Sequence, residues 1–222
     1  MFQPWAEYVP AEVELLSVQY PGRAERFRDV HREDAREIAR AVVNALAQLE
    51  DVPTLLLGHS FGGIVAFETA AQLESAGTAV QTLWVSSVAP PGEQPHGTTH
   101  QVDDADLWRA AVSLGGIDAS VVADDDLAAL LLPALRADIK AHETYAVGND
   151  QTPISAPIHA VLGNRDRMVS AGEMAGWERL TGGRFQLTVR AGGHFHLHEL
   201  PNEFMSLIFG ARSDAGVGGS AR

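Results

Sequence analysis

Two hydrophobic patterns alternate along the chain. Short stretches rich in apolar residues occur at 13–18, 55–57, 82–88, 158–162 and 185–189, and each reads as a strand. Between them, apolar residues recur every three or four positions. Trp5 and Tyr8 follow Phe2 at intervals of three, which suggests a short helix at the front. Residues 34–49 put Ile38, Val42, Ala45, Leu46 and Leu49 on one stripe, with Arg36, Glu37, Arg40 and Gln48 off it. Further helices are expected at 64–76, stopped by Gly77, at 171–180 and at 199–209. Tyr20-Pro21-Gly22, Pro53 and Pro90-Pro91-Gly92 punctuate the runs as turns. Strands alternating with helices predict an α/β fold, a mostly parallel sheet with helices on both faces.

One stretch breaks the alternation. Between Gly92 and Thr152 no run reads as a strand. Residues 103–112, 125–132 and 134–145 read as helices, separated by Gly115-Gly116 and broken near Pro133. This divides the chain into a core of 1–92 and 151–210, a helical insertion of 93–150, and a Gly/Ala/Ser-rich tail of 211–222 expected to be disordered. A helical insertion between two strands is a natural cap over the strands' C-terminal ends, where such sheets bind ligands. The acidic clusters Asp103-Asp104-Asp106 and Asp124-Asp125-Asp126 read as helix starts and solvated faces, without metal-loop spacing.

Composition narrows the function. The 222 residues, 45% apolar, suffice for one domain with a sizeable core. A formal net charge of −13 argues against nucleic acid as a partner. With no cysteine there is no disulfide, no thiolate nucleophile and no Cys-type zinc site. No apolar run is long enough to span a bilayer, no membrane partner is expected, and the first residues lack a secretory pattern, so a cytoplasmic location is expected.

The chemistry concentrates where the 55–57 run breaks into Gly58-His59-Ser60-Phe61-Gly62-Gly63 and a helical pattern follows. Strand, sharp turn and helix with a serine at the apex reads as a nucleophile elbow, the alternative being a glycine-rich strand–helix turn with an ordinary serine that binds an anion. Glycine is expected at both Gly58 and Gly62, because a side chain at either would crowd the neighbouring strand and helix. The Phe61 N–H, at a helix N-terminus, is the candidate oxyanion donor. A serine hydroxyl needs a base, and the base an orienting acid. In such a sheet they follow in the order Ser, Asp, His, each after a later strand. Asp166 follows the 158–162 run; the rival position after 82–88 holds Ala89-Pro90-Pro91 and no carboxylate. His194 follows the 185–189 run, and Gly192-Gly193 let its loop turn back over Ser60. His196 and His198 are rival bases. Their alternation with His194 invites a metal reading, but no carboxylate or thiolate set has matching spacing, so no metal is expected. His59 is expected to pack under the turn.

On these residues the chain resembles type II (editing) thioesterases, stand-alone α/β-hydrolases that serve polyketide and nonribosomal peptide synthases. The resemblance also rests on Trp5, on Val18-Gln19-Tyr20-Pro21-Gly22-Arg23, on Leu132-Pro133-Ala134-Leu135-Arg136-Ala137-Asp138, on Glu143-Thr144-Tyr145 and on Gly163 to Asp166. It implies an α/β-hydrolase fold, Ser60, Asp166 and His194 as the triad, and a lid over 103–145. The implied activity is hydrolysis of acyl groups from the phosphopantetheine arm of an acyl or peptidyl carrier protein, without a cofactor. Some of Leu107, Val112, Leu130, Leu131 and Leu135 are expected to line an acyl chamber, with plain helix–helix packing as the alternative, and motion around Gly115-Gly116 is expected to gate entry. Family members carry a first core strand and an oxyanion loop ahead of Phe2; both are missing from this sequence, and coding sequence for them is expected upstream of Met1. The alternatives are an esterase acting on small esters and a truncated, inactive module that binds acyl carriers.

Overall fold

The structure, a computed structural model, describes residues 3–49, 52–94, 97–146, 152–199 and 201–210. Phe2 and the tail expected at 211–222 lie outside the described residues. After a 3₁₀ helix at Gln3–Tyr8 come α1 (Ala35–Leu46), β1 (Thr54–His59), α2 (Phe61–Ser75) and β2 (Val80–Ser86). The stretch between β2 and β3 holds α3 (Asp104–Ser113), α4 (Ala119–Val122) and α5 (Asp125–Glu143). Then follow β3 (Ile158–Gly163), α6 (Ala171–Ala175), β4 (Phe185–Arg190), α7 (His196–Glu199) and α8 (Pro201–Gly210).

The four strands form one parallel sheet in the order β1-β2-β3-β4. Alternation along the strands divides the core into two layers. Leu83 and Val85 of β2 and Ile158, Ala160 and Leu162 of β3 face Ile64, Phe67 and Ala70 of α2 and Ile38 of α1. Trp84 and Val161 point the other way, against Trp5, Leu197, Phe204 and Ile208. Trp5 is buried against Phe204, at a ring-centroid distance of 5.5 Å. Thus the front 3₁₀ helix and the final helix α8 cover one face, and α1 and α2 the other. This is why β1 to β3 are rich in apolar residues at consecutive positions, while β4, at the other edge, alternates apolar and polar residues. Asp34 caps α1 by accepting from the Arg36 and Glu37 N–H groups at 2.7 and 3.1 Å.

Three expectations are corrected. The 13–18 run forms no strand; Leu16 and Val18 are exposed. A strand exists only as a partner in a ladder. β1 is an edge of the sheet, and among the described residues none pairs with its outer side. Second, α1 ends at Leu46, which leaves Leu49 exposed. Third, Pro133 does not break the insertion; α5 runs through it. Its ring is on the exposed side, and Ala134, Ala137 and Ala141 bury the following turns, so packing offsets the hydrogen bond that proline cannot donate. Among the described residues no helix is long and apolar enough to cross a membrane.

Candidate active site

β1, β3 and β4 release the three candidate side chains at their C-terminal ends. Ser60 follows β1 directly, with φ 51° and ψ −131°. That left-handed, strained geometry is rare for a non-glycine residue and marks a sharp strand–helix turn. The turn is held by the Ser60 N–H donating to the Ser86 carbonyl at 2.8 Å and by Gly63 N–H donating to the Ser60 carbonyl at 2.8 Å. Although Ser60 occupies the N-cap of α2, its hydroxyl makes no capping bond, so it is not spent on the helix. Phe61 opens α2, where the first N–H groups have no intrahelical partner and the helix dipole favours negative charge.

The glycines of the turn are not equivalent. A side chain at Gly58 would collide with the Gly62 backbone, and one at Gly63 would come within 2.6 Å of Val88 Cγ1. At Gly62 the nearest atom to a Cβ would be the Tyr20 hydroxyl, at 4.0 Å. The expected crowding at Gly62 is therefore absent; the second tight position is Gly63.

His194 and Asp166 meet. His194 Nδ1 lies 3.0 Å from Asp166 Oδ2, and both side chains are buried. The other carboxylate oxygen, Oδ1, accepts from Met168 N–H at 2.8 Å. Burial works against the charge on Asp166. The His194 and Met168 hydrogen bonds outweigh it and bring its pKa down to about 2. The two loops approach this closely because β3 ends in Gly163, where any side chain would strike the carbonyls of Gly192 and Gly193. Gly192 has φ +132° and its N–H donates to Asn164 Oδ1 at 3.2 Å. His194 also lies beside the elbow, its ring 5.0 Å from that of His59.

His59 is buried under the turn. Its Nδ1 is 3.1 Å from Ser86 Oγ, which is 3.0 Å from His196 Nε2. Burial, reinforced by the neighbouring imidazoles, holds the His59 pKa well below the usual value. Burial and then the charge of Arg190 bring that of His196 down to about 4. His196 is thus tied to β2, whereas His194 faces the carboxylate. Neither Ser86 nor its link to His196 is marked by any motif. Among the described residues no group of three His, Asp or Glu side chains could hold a metal.

The insertion is fastened over this end of the sheet. Asp138 of α5 pairs with Arg23, which also donates to the Ala134 carbonyl at 3.3 Å. Lys140 pairs with Glu33, and the Tyr145 hydroxyl donates to the buried Glu68 of α2 at 2.6 Å. Within the insertion, α3, α4 and α5 enclose a cleft of about 940 Å³ lined by Trp108, Val112, Ala128 and Leu132. Of the positions named as candidates for a chamber, Val112 lines this cleft. Leu107 is fully buried, Leu130 is exposed, and Leu131 and Leu135 pack against Trp108 and its neighbours.

Residues 1–211 match the thioesterase domain family. Thioesterase PikA5 of Streptomyces venezuelae is 38% identical over 208 residues, which cover 91% of this chain and 74% of that protein. The phenyloxazoline synthase MbtB of Mycobacterium tuberculosis is 37% identical over 191 residues, 86% of this chain but only 13% of that much longer protein. The structure of the type II thioesterase BorB from the borrelidin biosynthetic cluster superposes with a TM-score of 0.85 at 36% identity, covering 93% of this chain and 84% of that one.

Proposed function

The chain belongs to the thioesterase domain family, and on that footing we propose that it hydrolyses acyl thioesters on the phosphopantetheine arm of carrier proteins, with Ser60 as nucleophile, His194 as base and Asp166 as orienting acid. Its relatives include type II thioesterases of biosynthetic clusters, one of them from a nonribosomal peptide/polyketide pathway. The observation that carries the assignment of roles is the 3.0 Å contact between His194 Nδ1 and Asp166 Oδ2, beside a serine in a strained elbow.

The Asp166–His194 contact and the strained elbow support these roles. Asp166, ionised down to about pH 2, fixes His194 with its Nδ1 proton toward the carboxylate and leaves Nε2 free to accept. His194 takes the Ser60 proton as Oγ attacks the thioester carbonyl. The Phe61 N–H binds the developing oxyanion at the N-terminus of α2. The arm leaves as a thiol, whose pKa near ~8.5 demands less of the imidazolium as an acid than an amine would. Water then attacks the acyl-serine, with His194 again as base.

The test is turnover of an acyl-carrier thioester beside an equivalent oxygen ester, with fluorophosphonate labelling of Ser60 in parallel. Ser60→Ala and His194→Ala should each lose on the order of 10⁴-fold or more in kcat, and Asp166→Asn somewhat less. Preference for the free oxygen ester would favour a small-ester esterase. Absence of both labelling and turnover would favour a module that only binds carriers. Full activity in His194→Ala with loss in His196→Ala would overturn the choice of base.

A further inference from the structure

His194 must be placed in two directions, toward the carboxylate and toward the serine. The first is set by Asp166. Beside the second lies a buried polar chain that the reaction itself does not use. Ser86, the last residue of β2, is fully buried and makes three connections. Its carbonyl accepts the Ser60 N–H at 2.8 Å; its hydroxyl lies 3.1 Å from His59 Nδ1 and 3.0 Å from His196 Nε2.

We infer that His196 is a positioning residue for His194: through Ser86 it ties the turn that carries the base to the elbow that carries the nucleophile. This rests on the reading of Ser60 and His194 given above. His194 sits inside a turn closed by the His196 N–H donating to the Gly193 carbonyl at 3.2 Å. The upstream end of that turn is held against the Asp166 loop, where Arg165 N–H donates to the Gly192 carbonyl at 2.9 Å. The downstream end is held by the His196 ring on Ser86, alongside the local bond from His198 N–H to the Phe195 carbonyl at 2.9 Å and the buried Leu197, and of these the His196 ring alone reaches the residue that also receives the Ser60 N–H. A shift of the turn relative to Ser60 would strain the Ser86–His196 contact. Packing alone would not call for an imidazole there. His196 has no exposed surface, and its Nδ1, like His59 Nε2, is buried with no hydrogen-bond partner among the described residues. An apolar ring would fill the space without that cost. What the imidazole adds is a directed bond. One hydroxyl hydrogen serves the two rings: Ser86 donates to one and accepts from the other, and both imidazoles stay neutral.

The test separates position from packing. His196→Phe keeps the ring volume and removes the bond. Its kcat should fall roughly 10–100-fold, since small displacements of a reacting group cost that much, with KM within about twofold and an unchanged or higher Tm. His196→Gln, whose amide can reach Ser86, should recover most of the rate. Ser86→Ala should match the loss, and the double variant Ser86→Ala/His196→Phe should be no slower than the slower single, because both remove one shared contact. A kcat within twofold of the parent in His196→Phe, or losses that multiply in the double variant, would overturn the inference. Should His196→Phe not fold, Ser86→Ala decides by the same split of kcat against KM. His194→Ala distinguishes the two levels: activity surviving there sinks the catalytic reading, whereas a dead His194→Ala beside a fully active His196→Phe sinks only the positioning role.

Discussion

Phe195 fills the space that a side chain at Gly116 would need: a Cβ there would come within 2.5 Å of Phe195 Cζ. Gly116 belongs to the turn after α3, and Phe195 is the residue after His194. The Phe195 ring also lies 5.1 Å from that of His194 and 5.2 Å from that of His59. The insertion therefore rests directly on the loop that carries the base, at the glycine pair expected to act as its hinge.

That contact predicts coupling between Gly116 and Phe195. Gly116→Val should drive the Phe195 ring into His194 and lower kcat/KM by roughly tenfold. Phe195→Ala should loosen the insertion, seen as faster hydrogen exchange across 110–118. Combining them should restore part of the rate lost in Gly116→Val alone, because the collision is gone. Equal rates for Gly116→Val and the parent would show that the turn moves freely away from the loop.

The two glycines flanking Ser60 should respond oppositely. At Gly58 the obstacle is the Gly62 backbone, which cannot rotate aside. Gly58→Ala should cost more than ~3 kcal/mol and lower Tm by roughly 6–12 °C or prevent folding. Gly62 lies in the first turn of α2 with 4.0 Å to its nearest neighbour, so Gly62→Ala should leave Tm unchanged or raise it by ~1–3 °C through helix propensity. Thermal melts of the two variants decide; a similar fall in both would mean that the elbow needs glycine at each position after all.

What the sequence revealed follows from the range of each interaction. β1 to β3 were legible because strands covered on both faces are rich in apolar residues at consecutive positions, as in Leu83-Trp84-Val85, and β4 because Phe185, Leu187 and Val189 alternate with polar residues. The same signal misleads at 13–18, since an apolar run records a capacity for burial, not the presence of a neighbouring strand. Pro133 misleads in the other direction: its penalty is local, while the burial of Ala134 and Ala137 that offsets it is tertiary. Asp166 and His194 could be found because chain order places them at strand ends. Ser86 and His196 could not, since they meet across 110 residues. The two-glycine pattern around Ser60 hid that Gly63 rather than Gly62 is the crowded partner.

The buried imidazoles predict how the fold fails in acid. In the folded chain burial lowers His196 to about 4 and His59 well below its usual value, and lowers His142 and His198 in the same direction. Unfolded, each titrates near ~6.5. Between those values the unfolded state binds more protons than the native one, so stability is fully present above about pH 6.5 and is lost as pH falls toward 4. Asp138 works in the opposite sense. Burial, only partly offset by Arg23, raises it to about 6, so the native state takes its proton first and gains relative stability as pH falls from 6 toward 3.8. Asp166, lowered to about 2, withdraws its contribution only below about 3.8. Several histidines oppose one aspartate, and the net expectation is a falling Tm from pH 6.5 to 4.5. Melts at pH 7.5, 5.5 and 4.5 on the parent and on His196→Phe test the assignment. The variant lacks one buried group that must charge on unfolding, so its Tm gap between pH 7.5 and 4.5 should be smaller by roughly 5–10 °C. An identical gap would show that His196 is not held neutral by its burial, and the acid sensitivity would then have to come from His59 and His142.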